Sequence, residues 1–184
     1  MKDVLTLALD PLVILRAGGV KRWHAGEELD SQAVSEHSWG VAILVLRFYP
    51  AASKELLAAA LLHDTPEDVT GDIPAHAKWR SPELRLAAHA LELQVHTERG
   101  TNVILDASER RALKACDMLE WLIFRQRQRR RGHVDPVLEG NLQKVIDGIG
   151  LNGTTEIHNF ALEMMKHERE QSEPKADRRH PLQD

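Results

Sequence analysis

The sequence predicts an all-α protein, a single helical bundle, on three observations. Apolar residues recur at three- and four-residue intervals through most of the chain, and alternating strand-like patterns are almost absent. Gly, Pro and Ser/Asp/Thr clusters cut this pattern into helix-sized pieces. At 184 residues and 42% hydrophobic content, the chain can bury one real core. Residues 1–168 are assigned to that domain. From about Glu168 the sequence turns Glu-, Lys-, Arg- and Pro-rich, so 169–184 is expected to be a disordered tail.

The elements follow in order. Asp10-Pro11 reads as a cap with proline in a first turn, and Ala17-Gly18-Gly19 ends that helix. Residues 20–24 form a loop that holds Lys21 and Arg22 beside the Trp23 indole. Ser31 or Ser35 begins a helix that runs through 41–46 and stops near Pro50, and Ser53 caps the helix leading to His63. Residues 72–81 read as irregular. Pro82 opens a helix to about Thr97, which Gly100-Thr101-Asn102 breaks. Asp106 or Ser108 starts the next, Gly132-His133-Val134-Asp135-Pro136 interrupts it, and a further helix covers 136–149. Thr154 or Thr155 caps the last.

Composition excludes several classes. A net charge of −4 with 28% charged residues argues against a general nucleic-acid binder, which would be basic. The single cysteine, Cys116, excludes an internal disulfide and fits a reducing compartment. No stretch has the pattern of a signal peptide or the roughly 18 apolar residues of a membrane span. A soluble, cytoplasmic protein is expected.

The chemistry centres on residues 61–74. An apolar run, 56–62, carries the adjacent pair His63-Asp64 to the edge of the core. On a helix these two point about 100° apart, and Glu67 lies one turn on, near both. Imidazole and carboxylate suit a first-row divalent ion, and Glu67 would then face its water as a base. A buried His–Asp hydrogen bond is the plainer reading of the pair. Two further positions could complete a donor set. His37 lies at a helix start, where it could also be a cap. Asp117 sits in the apolar setting Ala115-Cys116-Asp117-Met118, where an unpaired carboxylate is costly and an arginine partner is the alternative.

Taken together, Lys21-Arg22-Trp23, Ser35-Glu36-His37-Ser38, His63-Asp64, Glu67, Thr70-Gly71-Asp72-Ile73-Pro74 and Lys114-Ala115-Cys116-Asp117 resemble the HD-domain phosphohydrolases. Within them the pattern is similar to the bacterial 5′-deoxynucleotidases and the related small phage dATP triphosphohydrolases, over roughly residues 4–165. The resemblance implies one divalent transition metal (cobalt, manganese or zinc) on His37, His63, Asp64 and Asp117, with magnesium accompanying a polyphosphate substrate. It implies that Glu67 orients or deprotonates the attacking water and that Asp72 lies near phosphate and sugar. Arg22 would bind phosphate, Trp23 would pack on the deoxyribose, and Lys78 and Lys114 would add phosphate contacts. The implied activity is hydrolysis of deoxynucleoside 5′-monophosphates. The alternative is release of triphosphate from a deoxynucleoside triphosphate such as dATP, and a rival of another class is a non-catalytic nucleotide sensor. The family also implies a homo-oligomer with a small-molecule deoxynucleotide as partner, while the chain's own composition speaks against a membrane and against nucleic acid as partners.

The remaining features have plainer readings. Arginines in 125–131 fall on several helix faces and read as solvated surface or subunit contact, with polyphosphate or nucleic-acid contact as the alternative. Trp39, Trp79 and Trp121 read as core or rim packing, His76, His89, His96 and His158 as non-ligands, and Cys116 as a small buried side chain. Glu120, one turn after Asp117, is a candidate outer partner of the donor set.

Overall fold

The computed structural model describes residues 10–23 and 30–172. Helix α1 spans Pro11–Ala17, followed by β1 (Lys21–Arg22) and β2 (Gln32–Ala33). The helices continue as α2 (Val34–Phe48), α3 (Lys54–Leu62), α4 (Glu67–Thr70), α5 (Ala75–Arg80) and α6 (Pro82–Glu98). They end with α7 (Ala107–Arg130), α8 (Pro136–Asn152) and α9 (Thr155–Ser172). The expected all-α bundle is what forms.

The core is a layer of helices around α7. Its Ala115, Cys116, Leu119 and Leu122 are buried against Val41 and Val45 of α2, Leu56 and Ala60 of α3, Ile146 and Ile149 of α8, and Ile157 and Ala161 of α9. The small residues Ala60, Ala115 and Ala161 let helix axes approach closely, and glycine does the same at two crossings. A methyl on Gly148 would meet the Met118 thioether at 2.5 Å, and one on Gly40 would meet Glu120 Cγ at 2.9 Å.

Caps fall where the side chains demand. Asp10, Ser53, Ser81, Asp106 and Asp135 each accept a backbone N–H from the first turn of their helix. Glu109 reaches back to the Asp106 N–H and completes a capping box. Neither Ser31 nor Ser35 caps α2. The helix begins at Val34, and Glu36 accepts the Ala33 N–H.

Several expectations need correction. The loop expected at 20–24 contains β1, which pairs antiparallel with β2 through Lys21↔Ala33 and Arg22↔Gln32. The stretch 72–81 is not wholly irregular, because α5 occupies Ala75–Arg80. Helix α3 stops at Leu62, so His63-Asp64-Thr65-Pro66 is a turn rather than helix. The cause is local: a residue before proline disfavours the α conformation, and Thr65 Oγ1 donates to the Leu62 carbonyl at 2.7 Å. Helix α9 extends to Ser172, four residues into the span assigned to the tail, and 173–184 lie outside the described residues.

The arginine-rich end of α7 is also not merely solvated. Arg125 is buried and its guanidinium lies against Glu139 of α8 and Glu168 of α9, and Arg129 reaches the same two carboxylates. These residues tie the ends of three helices together, while Arg131 pairs with Asp30 near the surface.

One ion pair fixes the turn that carries the chemistry. Arg99, just past α6, donates to both oxygens of Asp68 at 2.6 and 3.1 Å and to the Thr65 carbonyl at 3.1 Å. Asp68 is almost buried, and Arg16 adds a contact at 3.2 Å. Removing one partner of a buried pair is strongly destabilising. Arg99→Ala is therefore expected to cost about 3 kcal/mol in urea unfolding and to loosen the 63–67 turn. A loss below about 0.5 kcal/mol would show that Asp68 re-solvates easily.

Candidate active site

Four side chains from three elements converge at one end of the bundle. His37, fully buried in the second turn of α2, places Nε2 at 3.3 Å from His63 Nε2, 3.4 Å from Asp64 Oδ2 and 3.3 Å from Asp117 Oδ1. His63 Nε2 lies 3.4 Å from Asp64 Oδ1. The turn after α3 supplies His63 and Asp64, and α7 supplies Asp117.

The outer ring nitrogens decide what these imidazoles present. His37 Nδ1–H donates to Glu120 Oε2 at 2.6 Å, and His63 Nδ1–H donates to the Ala60 carbonyl at 3.0 Å. Both partners are pure acceptors, so in the neutral rings both Nε2 lone pairs face inward. Two imidazole nitrogens and two carboxylates then aim lone pairs at a single point, an arrangement that calls for positive charge. With no ion bound, protonated His37 would supply part of that charge. Burial opposes its protonation, yet hydrogen bonds to Asp117 and Glu120 outweigh burial and raise its pKa to about 9. His37, His63 and Asp117 offer donor atoms within 4.8 Å of one another and could hold a metal ion, and Asp64 stands beside them. The donor set fits a borderline or harder divalent ion of the first row.

Charged groups surround the cluster. Lys114 Nζ lies 2.8 Å from Asp117 Oδ2, and its charge helps hold the Asp117 carboxyl well below the usual range despite burial. Arg22 Nη1 donates to Asp64 Oδ2 at 3.3 Å, while its buried Nε has no protein partner. Asp64 is likewise held low: burial opposes ionisation, but His63 and Arg22 prevail. Glu67 behaves in the opposite sense. Desolvation and the nearby Asp64 charge push its pKa up to about 9, and its buried Oε2 has no hydrogen-bond partner.

A cavity of about 570 Å³ opens over this cluster, and Arg22, Asp64, Glu67, Asp72, Lys78, Lys114 and Asp117 all line it, with Trp79, Trp121 and Leu86 as its apolar walls. A second cavity of about 500 Å³ shares Asp64, Lys78, Lys114 and Asp117 with the first and adds His63, His96, Thr101 and Arg110. The donor cluster thus opens on two lobes. Arg22, Trp23 and Asp72 also line a smaller recess next to the first.

Trp23 takes an unusual conformation. Its φ is +65°, a region that costs a bulky residue about 1–3 kcal/mol and persists only when its surroundings enforce it. Here the enforcement is visible. The Trp23 N–H donates to Asp72 Oδ2 at 3.3 Å, the indole stacks on Phe124 with centroids 5.0 Å apart, and Nε1–H donates to Gln32 Oε1 at 3.4 Å.

Residues 12–110 match the profile described as 5′-deoxynucleotidase YfbR-like, more than half of the chain. The chain belongs to that family. The matched span holds the first three donors and Glu67, while Asp117, Lys114 and Glu120 lie beyond it. A dATP triphosphohydrolase of Cyanophage S-2L is 32% identical over 117 residues, 60% of this chain and 66% of the relative. One of Salmonella phage PMBT28 is 34% identical over 85 residues, 39% and 44% of the two chains. This family member therefore spans less than two thirds of the length of these curated relatives. The solved structure of the Cyanophage S-2L HD phosphohydrolase, bound to dA and one catalytic Zn2+ ion, has a TM-score of 0.66 and 19% identity. It covers 89% of this chain and 98% of its own, so the fold is shared.

All ten residues singled out from the sequence meet at this end of the bundle, with His37 buried beneath the cavity floor. Lys78 lies 3.5 Å from Glu92 rather than on the donor cluster. Sequence reading missed Gln32, Arg85, Arg110 and the pocket-lining role of Trp121. Gln32 and the two arginines stand in no motif and reach the site only through tertiary packing. Trp121, four residues after Asp117, shares its helix face, and that spacing was the available signal.

Proposed function

We propose that this chain is a metal-dependent phosphohydrolase of 2′-deoxynucleotides, converting deoxynucleoside 5′-monophosphates to deoxynucleoside and phosphate. The observation that carries it is the convergence of four metal-type donors beneath a cavity that also holds a buried carboxylate, Glu67, with an unpaired Oε2, and four cations, Arg22, Lys78, Arg85 and Lys114. His37, His63, Asp64 and Asp117 would hold the metal. A bound divalent ion would acidify a water and polarise a phosphoryl oxygen. Glu67 would orient that water through its free Oε2 and accept its proton once the positive charge of a bound ion has lowered its own proton affinity. Arg22, Lys78 and Lys114 neutralise charge building on the phosphoryl oxygens. Trp23 and Asp72 define the sugar end, where the clamped backbone of Trp23 leaves its indole little freedom to yield to a 2′-hydroxyl.

A second reading has its own support. The two phage relatives are dATP triphosphohydrolases, and the lobe lined by Lys78, Arg110 and Lys114 offers room and charge for a polyphosphate. In that case deoxynucleoside and triphosphate are the products. Chromatography of products from dAMP and dATP, with AMP and ATP as controls and cobalt, manganese or zinc supplied, separates the two. Orthophosphate from dAMP is the expected result. Intact triphosphate from dATP replaces the first reading with the second, and no turnover with any metal removes both and leaves the nucleotide sensor.

The proposal extends to assembly and place. The outer face of α2 exposes Trp39, Ile43 and Leu46 at helical spacing, which supports a homo-oligomer. No helix among the described residues is long and apolar enough to cross a membrane, and a small-molecule substrate fits action in the cytoplasm of a bacterium or phage-infected host.

A further inference from the structure

Beneath the donor cluster, a line of buried polar groups runs from the pocket wall to His37. Trp23 Nε1–H donates to Gln32 Oε1 at 3.4 Å, and Gln32 Nε2 donates to Glu120 Oε1 at 2.7 Å. His37 Nδ1–H donates to Glu120 Oε2 at 2.6 Å. Gln32, His37 and Glu120 are all below a tenth exposed, so the two bonds to Glu120 are made away from competing water. The donors converge on Glu120 from both ends of this line. Glu120 can only accept, so it fixes the Gln32 amide with nitrogen toward itself and oxygen toward Trp23.

Packing shows that the arrangement is accommodated by the helices themselves. His37 and Gly40 lie one turn apart on α2, facing Asp117 and Glu120 one turn apart on α7. Glu120 crosses α2 at Gly40, where any Cβ would sit 2.9 Å from its Cγ and 3.3 Å from its Oε1. A mid-helix glycine is less favourable than alanine, and the passage of this carboxylate is what it permits. On the far side only Arg127 approaches Glu120 Oε1 among the described residues' ion pairs, at 3.5 Å and half-exposed.

We propose that Glu120 is a positioning residue for the metal centre and that Gln32 links it to Trp23, so one buried strut sets both the His37 donor and the pocket wall. Glu120 holds the His37 ring with Nε2 inward and raises its basicity as a ligand. Gln32 holds Glu120 in the rotamer that reaches His37 and aligns the indole. The second half of this statement rests on the nucleotide reading above, whereas the first concerns metal alone.

The test measures Zn2+ affinity of the purified full chain by chelator competition, with melting temperature recorded beside it. In Glu120→Gln the shape is kept, but the new amide must turn its nitrogen toward one of two donors. Affinity is expected to fall about 10–100-fold, the range for outer partners of metal ligands. Gly40→Ala leaves the chemistry of Glu120 untouched and displaces it, so affinity should fall in the same direction. Unchanged Zn2+ affinity in both folded variants overturns the proposal, as does a lowered melting temperature with affinity intact, because that is a structural role only. Gln32→Met should weaken Zn2+ less than about 10-fold and, at saturating metal, raise KM for the turned-over deoxynucleotide more than it lowers kcat. Unmoved KM removes the link to Trp23. If no deoxynucleotide is turned over by the wild type, the functional reading fails, while the Zn2+ measurements still decide the role of Glu120.

Discussion

Glu67→Gln is expected to lower turnover about 10²–10⁴-fold, the contribution of a positioned general base, while metal content stays at the wild-type level. Geometry separates the two effects. His37, His63, Asp64 and Asp117 crowd one point with donor separations of 3.3–3.4 Å. Glu67 opens α4 beyond the turn and makes no close contact with His37 or His63 among the ion pairs and hydrogen bonds of the site, and its Oε2 is unpaired. The amide is isosteric, so the pocket keeps its shape, but it has no proton affinity to offer a water. The cost of protonating this buried carboxyl on folding at neutral pH is also removed, and the variant should unfold at equal or higher denaturant concentration. Activity and bound metal measured on the same preparation check this. Loss of metal would make Glu67 a ligand, and retained turnover would leave the proton with another group.

The pattern of what could be read from sequence follows the range of the interactions. His63, Asp64 and Glu67 lie within five residues, so local geometry alone brings them together whether the segment is helix or turn. The switch from helix to turn at His63 was itself legible in Thr65-Pro66, since a residue before proline resists the α conformation. Helix existence was legible because caps such as Ser53, Asp106 and Asp135 act within three residues of themselves. By contrast, Gln32 and Glu120 stand 88 residues apart and meet only through the crossing of α2 and α7. Arg125 shows the same limit. Its run of neighbours has the composition of a solvated face, and only the placement of Glu139 and Glu168 on two later helices explains its burial. The left-handed Trp23 is a third case, because nothing local in Arg22-Trp23 asks for positive φ. Its conformation is imposed by Asp72 and Phe124, distant in sequence.

Asp117→Ala is expected to empty the metal site, from about one ion per chain to below about 0.1 after dialysis, and to abolish hydrolysis. Asp117 is the one donor that α7 contributes, and its Oδ1 lies 3.3 Å from His37 Nε2. With neutral imidazoles, its removal halves the negative charge of the set from two carboxylates to one. The remaining His37, His63 and Asp64 would carry only one negative charge between them, and a divalent ion held by imidazole and carboxylate loses affinity with each ligand and charge removed. Lys114, which faces Asp117 at 2.8 Å, is half-exposed and can turn to solvent, whereas buried His37 loses its Asp117 partner, so the metal-free fold is expected to lose about 1–3 kcal/mol. Emptied sites in a chain that still unfolds cooperatively would locate the defect in coordination. Asp117→Asn refines the argument: it keeps an oxygen donor but not the charge, and metal content should fall between the two. Occupancy at the wild-type level in Asp117→Ala would instead place the ion on His37, His63 and Asp64 alone and leave Asp117 as the partner of Lys114.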